Sequence, residues 1–146
     1  MLTAKPSNFG SANNSTLVEN LIENTLNTLK AYRIEPICLE RVPGSSELPY
    51  AASLIEKNNI LNAIIVLGVI IAGETDHHSV IANSVAQSIN QISFEKNIPI
   101  INGVILANTL QEAEDRCGSK INRGKEFALA ALKMGQLKEK WTKKNL

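Results

Sequence analysis

Leu67-Gly68-Val69-Ile70-Ile71-Ala72-Gly73-Glu74-Thr75-Asp76-His77-His78-Ser79-Val80 is the stretch that decides the fold. It continues an apolar run, Ile64-Ile65-Val66, of the kind that forms a strand buried on both faces, and it breaks at Gly73 into Glu74-Thr75-Asp76, which reads as a helix start. A strand that passes through a loop into a helix leaves free backbone N–H groups at the carboxyl end of the sheet, where an anion or oxyanion can be held. His77 falls in the first helical turn, beside that anion site. The positive end of the helix dipole disfavours an imidazolium there, so the spacing predicts a neutral ring able to accept a proton. The alternative is that His77 and His78 are ordinary first-turn polar residues.

Working outward, the helix is expected from residue 76 to about 96, with Val80, Ile81, Val85, Ile89 and Ile92 as its core stripe. Pro99 then introduces a second buried strand over 100–106, with Gly103 inside it, a residue that often permits close approach by a ligand or another backbone. Asn108 or Thr109 caps a short helix to about Cys117, Gly118 stops it, and Asn122 starts a final helix with Phe127, Ala130, Ala131, Met134, Leu137 and Trp141 inward. Upstream, residues 1–15 carry Pro6, Gly10 and a Ser/Asn cluster and read as an N-terminal arm or weak edge strand. Leu17, Leu21, Ile22, Thr25, Leu26 and Leu29 predict a helix from residue 16 to about 32, capped by Ser15 or Thr16. An extended stretch over 37–42 ends at Pro43-Gly44, Ser45-Ser46-Glu47-Leu48-Pro49 opens a helix to about Lys57, and 58–62 turn into the central strand. Strands alternating with helices imply a parallel sheet covered on both sides.

Composition bounds the function. At 146 residues and 44% hydrophobic, residues 16–146 make one domain with enough core to fold. A net charge of +1 argues against nucleic acid, which demands a concentrated basic face. The basic cluster Lys138, Lys140, Lys143 and Lys144 reads as a solvated helix end. No run reaches transmembrane length, no signal-peptide order is present, and Cys38 and Cys117 lack metal or disulfide spacing, so a reduced, cytoplasmic setting without a membrane is expected.

The functional candidates gather at the carboxyl ends of strands, on one rim of the sheet: 44–47, 73–77 and 108–109. Glu47, at a helix start, is read either as a dipole partner or as a ligand contact. Arg116, near a helix end, is either a surface ion pair or C-terminal carbonyl contact, or a phosphate clamp, since guanidinium matches phosphate oxygens in a bidentate fork. Adjacent His77-His78 without a partner at i+4 do not build a metal face, so no metal is expected.

Val42-Pro43-Gly44-Ser45-Ser46-Glu47-Leu48-Pro49 resembles the VPGAFELP signature of the lumazine synthase family, and 67–77 resembles its LGTVIRGxTxH segment. Pro99 to Thr109 is similar to PVxFGVLTTxT, Gln111 to Gly118 to EQAxxRAG, and Asn122-Arg123-Gly124 to NKG, all in family order across residues 14 to 137. The resemblance implies a three-layer α/β/α domain, a flavodoxin-like parallel four-stranded sheet with helices on both faces. It implies condensation of 5-amino-6-(D-ribitylamino)uracil with 3,4-dihydroxy-2-butanone 4-phosphate to 6,7-dimethyl-8-ribityllumazine, phosphate and water, without a cofactor. Carried over by position, His77 is the proton-transfer residue, Glu74 and Thr75 form the phosphate loop, and Arg116 is the phosphate clamp. Ser45, Ser46 and Glu47 hold the ribityl chain, and Val69, Ile70 and Ile71 bind the pyrimidine. Asn102 reaches the site from a neighbouring subunit, and Arg123 replaces a site-lining lysine.

Departures from the family pattern are concentrated on its aromatics. Asn13, Ser46 and Asn102 stand where the family carries rings, and Ala72 replaces the arginine of VIRG. Stacking worth about 0.5 to 1.5 kcal/mol per ring is lost, by analogy with protein aromatic pairs. Phe9 is a candidate replacement. An alternative implied by these losses is a non-catalytic relative that binds a flavin-like or other small ligand as a storage or scaffold assembly. A generic flavodoxin-like mononucleotide binder leaves the blocks unexplained. Family membership also implies a homo-oligomer built of pentamers, some closing into icosahedral shells. Here the segment between Arg116 and Gly124 is one residue shorter than the shell-forming pattern, which leaves closure open.

Overall fold

The structure, a computed structural model, describes residues 1–4 and 13–143, with side chains for Met1 and from Ser15 onward. In chain order the elements are β1 (Leu2–Ala4), α1 (Asn13–Ala31), β2 (Glu40–Val42), a 3₁₀ turn (Ser45–Glu47), α2 (Leu48–Asn58), β3 (Ile64–Ile71), α3 (His77–Lys96), β4 (Ile100–Ala107), α4 (Leu110–Cys117) and α5 (Arg123–Lys143). The strands lie in the order β2-β1-β3-β4, and every pair is parallel.

β3 shows why the central run lacks alternation: both of its faces are covered. Ile65 and Leu67, with Ile105 and Ala107 of β4, join Leu21 of α1, Ala113 of α4 and Phe127 of α5. Ile64 and Val66 point the other way, onto Leu48 of α2 and Val85 and Ile89 of α3. β3 and β4 pair from Ile64↔Ile100 to Ile71↔Ala107, so the two strands end level. The Ala72 N–H donates to the Ala107 carbonyl at 2.8 Å and joins the two exits. The loops after β3 and β4 therefore leave the sheet side by side.

Several expectations are corrected. β1 lies between β2 and β3, inside the sheet rather than at its edge; three residues are too few to show an alternation. α1 begins at Asn13 rather than at residue 16, because its polar first turn precedes the apolar periodicity that starts at Leu17. The extended stretch at 37–42 contributes only Glu40–Val42 as strand. In α3, Val80 is 62% exposed; the buried stripe runs through Val85 and Ile89, and Val80 lies a residue, or about 100°, off the half-buried Ile81. In α5, Phe127 and Ala131 are buried as expected, but Met134, Leu137 and Trp141 are exposed, and Gly124, Ala128 and Gly135 complete the buried stripe.

Small residues win on α5 because the helix packs close to α1. A Cβ at Gly124 would come within 2.8 Å of the Leu21 carbonyl oxygen, and Thr25 Oγ1, fully buried, hydrogen-bonds to the Leu21 carbonyl at 2.7 Å and the Gly124 carbonyl at 3.3 Å. Gly103 follows the same logic: a Cβ there would meet Leu67 Cδ2 and the Val66 carbonyl oxygen at 2.6 Å and Phe127 Cδ2 at 3.0 Å. Its close approach is to the protein's own core. Cys38 is half-buried, Cys117 is buried, and neither is bonded to the other. Among the described residues, no helix is long and apolar enough to cross a membrane.

Candidate functional site

Among the described residues, three segments leave the carboxyl ends of the strands. After β2, Pro43-Gly44 leads into the 3₁₀ turn, which packs against β3 and α3. The Glu47 carboxylate lies over Gly44, where a Cβ would sit 3.0 Å from its Oε2; a side chain at 44 would press on that carboxylate. Ser45 is half-buried, and Ser46 and Glu47 are exposed.

After β3 the chain turns through 72–76 into α3. Val69, Ile70 and Ile71 are half-buried on the last residues of the strand, and Gly73, Glu74 and Thr75 are exposed. Asp76 is the N-cap of α3 but makes no capping hydrogen bond with its side chain, so the first backbone N–H groups of the helix lack that acceptor. His77 opens α3 as an exposed residue, directly beside this loop, with its ring held by no hydrogen bond among the described residues. His78 is half-buried, and its Nδ1 lies 2.8 Å from the Thr75 carbonyl oxygen. A carbonyl only accepts, so Nδ1 carries the proton of that bond.

After β4, Thr109 caps α4: its hydroxyl accepts from the Glu112 N–H at 3.1 Å, and the Glu112 carboxylate accepts from the Asn108 N–H at 2.9 Å. Arg116 bridges this turn to the strand. It donates to the Leu106 carbonyl at 2.9 Å and lies 3.7 Å from Glu112 Oε2. In the single chain it thus makes the ion pair, while the carbonyl it meets belongs to β4 rather than to the end of its own helix. Cys117, next to it, is buried, and burial pushes its thiol pKa up to about 11 while the Arg116 charge draws it back.

Two remaining candidates lie elsewhere. Asn102 is exposed early on β4, and its Oδ1 accepts from the Val104 N–H at 3.1 Å. Arg123 pairs with Glu126 at 2.5 Å and lies over the Phe127 ring, 5.2 Å from its centroid. The structure brings together 45–47, 69–71 and 74–77 around β3 and α3; Arg116 stands on α4, which packs with α1 on the opposite face. The Asn13 side chain and Phe9 lie outside the described residues. Two clefts among the described residues lie far from this rim: one of about 690 Å³ includes Phe94, Pro99 and Trp141, and one of about 440 Å³ includes Ile60 and Ile64, both at the amino ends of β3 and β4. Among the described residues, no three His, Cys, Asp or Glu side chains gather as a metal site.

Sequence reading missed two contacts. The His78 tie leaves no pattern of its own beside a histidine already singled out. The bracket at Glu112 was readable from Thr109-Leu110-Gln111-Glu112, the spacing of a capping box.

The 6,7-dimethyl-8-ribityllumazine synthase family model matches residues 10–139. The chain belongs to this family. The 6,7-dimethyl-8-ribityllumazine synthase of Pyrococcus furiosus is 39% identical over 132 residues, 90% of this chain and 83% of the relative. That of Parabacteroides distasonis is 37% identical over 124 residues, covering 83% and 78%, and that of Prochlorococcus marinus strain MIT 9215 is 38% identical over 130, covering 85% and 82%. The span matched to the lumazine synthase family contains every segment of the rim described above.

Proposed function

We propose that the chain is a catalytic 6,7-dimethyl-8-ribityllumazine synthase, joining 5-amino-6-(D-ribitylamino)uracil to 3,4-dihydroxy-2-butanone 4-phosphate with release of phosphate and water. The observation that carries this is His77: exposed, with no hydrogen bond to its ring among the described residues, and placed at the start of α3 beside a short polar loop and helix N–H groups that the Asp76 side chain does not cap. Imine formation and phosphate loss both move protons, and an imidazole at that position can take and return them. Glu74 and Thr75, with the N–H groups of the α3 start, cradle the phosphate, and Arg116 clamps it. Ser45, Ser46 and Glu47 hold the ribityl hydroxyls against the end of β3, and the half-buried Val69, Ile70 and Ile71 carry the pyrimidine by packing and by backbone groups. Asn13, Asn102 and Arg123 complete the pocket from its edges.

His77 and Arg116 stand on elements that cover opposite faces of one sheet. The proposal therefore extends to assembly: residues 16–146 form one domain with a flavodoxin-like four-stranded sheet, packed into pentamers in the cytoplasm, with each site completed by Arg116 and Asn102 of an adjoining copy. Ser46 and Asn102 offer no ring to stack on the pyrimidine, so its affinity rests more on polar contacts. A turnover assay with both substrates tests the function. Wild-type enzyme should form lumazine, and His77→Ala should lower the rate roughly 10²-fold while leaving the fold unchanged. No product from wild-type enzyme, with ligand bound equally by His77→Ala, would instead identify a binding protein.

A further inference from the structure

We propose that His78 is a positioning residue for the phosphate loop, acting through its hydrogen bond to the Thr75 carbonyl. Among the described residues, little else fixes the shape of the loop. Gly73, Glu74 and Thr75 are exposed, and a Cβ built at Gly73 would have nothing within 4 Å. Its start is tied to the end of β4 by the Ala72 N–H. Near its far end, the tie among the described residues is the 2.8 Å bond from His78 Nδ1 to the Thr75 oxygen. The carbonyl of Asp76 is also engaged, but by the Ser79 and Val80 N–H groups of α3 itself, which fixes the helix rather than the loop before it.

The direction of that bond matters. A trans peptide is planar, and its C=O and N–H point opposite ways. Holding the Thr75 carbonyl toward His78 therefore also sets the direction of the Asp76 N–H, a donor at the entrance to α3, where an anion is received. His78 is itself rooted in the helix and half-buried, so it transfers the rigidity of α3 to the loop. His77 touches substrate, and His78 keeps in place the backbone that does.

This inference rests on the synthase reading for the identity of the phosphorylated substrate, but the loop's hold on an anion can be measured without turnover. His78→Phe keeps a ring and removes the donor. His78→Asn carries an amide N–H at the position of Nδ1, and His78→Gln carries its amide one bond further out. For the Phe variant, Km for 3,4-dihydroxy-2-butanone 4-phosphate and Kd for inorganic phosphate, read by calorimetry on the intact assembly, should each rise about fivefold, the loss of one hydrogen bond. Km for the pyrimidine substrate should stay within about twofold, and His78→Asn should recover most of the loss. If the Phe variant fails to fold, His78→Gln takes its place. Unchanged phosphate affinity in the Phe and Gln variants would overturn the proposal, as would an Asn variant no better than Gln. Wild-type enzyme that makes no lumazine, but loses phosphate in the Phe variant and regains it in Asn, would remove the synthase reading and leave the role of His78 standing.

Discussion

At the level of single residues, Cys117 shows how burial sets a measurable property next to the site. Its thiol titrates at about 11 in the folded chain against 9.0 for an unperturbed group, because the core around it disfavours the thiolate. Between those values the unfolded chain gives up a proton that the folded chain keeps, so the stabilisation is full below pH 9.0 and is lost as pH rises toward 11. Urea midpoints measured below pH 9.0 and near pH 11 should therefore fall more in wild-type protein than in Cys117→Ala, where lysines and tyrosines titrate but position 117 does not. Equal falls would place the thiol in a wetter setting than its burial implies. His77 was legible in the sequence because its position depends only on local order, a strand, a glycine and a helix start. Arg116 was not, since both of its readings fit a helix end and only a tertiary or quaternary partner chooses between them. His78 was hidden for a related reason: the acceptor it finds is a backbone carbonyl, and every residue offers one.

Among elements, glycine separates packing from openness. Gly103 sits where β4 passes between β3 and Phe127 of α5, with 2.6 Å left to a backbone oxygen that cannot move alone. Gly73 sits in open space in the loop before α3. Gly103→Ala should cost about 1–3 kcal/mol of stability, and Gly73→Ala should stay within about 0.5 kcal/mol, both read from denaturant melts. A Gly103→Ala protein as stable as Gly73→Ala would mean that α5 can lift off the sheet. The sequence placed a glycine inside this strand but not its reason, because a gap for a ligand and a gap for a neighbouring ring leave the same signature. A related ambiguity misassigned the second half of α5. Helical spacing marked Met134, Leu137 and Trp141 as inward, but close packing against α1 favours the stripe through Gly124, Ala128 and Ala131, and the larger residues turn toward a surface cleft. β3 was legible as an unbroken apolar run and the long helices, as elements, by their length and spacing, whereas β1 and β2, three residues each, carry too little pattern to read.

For the whole molecule, the decisive property is that one chain holds the proposed proton-transfer residue and the proposed clamp on opposite sides of its sheet. If each site draws His77 from one copy and Arg116 from the next, as the proposed pentamer requires, two individually defective chains can repair one another. His77→Ala and Arg116→Ala should each have low activity alone. When they are unfolded together in equal amounts and refolded, a site is intact only where an Arg116→Ala copy lends His77 and a His77→Ala copy lends Arg116. Random placement around a closed ring makes that true of about one site in four, so the mixture should regain about a quarter of wild-type turnover. Light scattering on the same sample should give about 80 kDa for five copies of the 15.9 kDa chain, or on the order of 1 MDa if rings close into a shell. A mixture no more active than its components, at either mass, would mean that both residues serve a site within one chain, and Arg116 would have to leave Leu106 and Glu112 and cross the end of β4 to reach it.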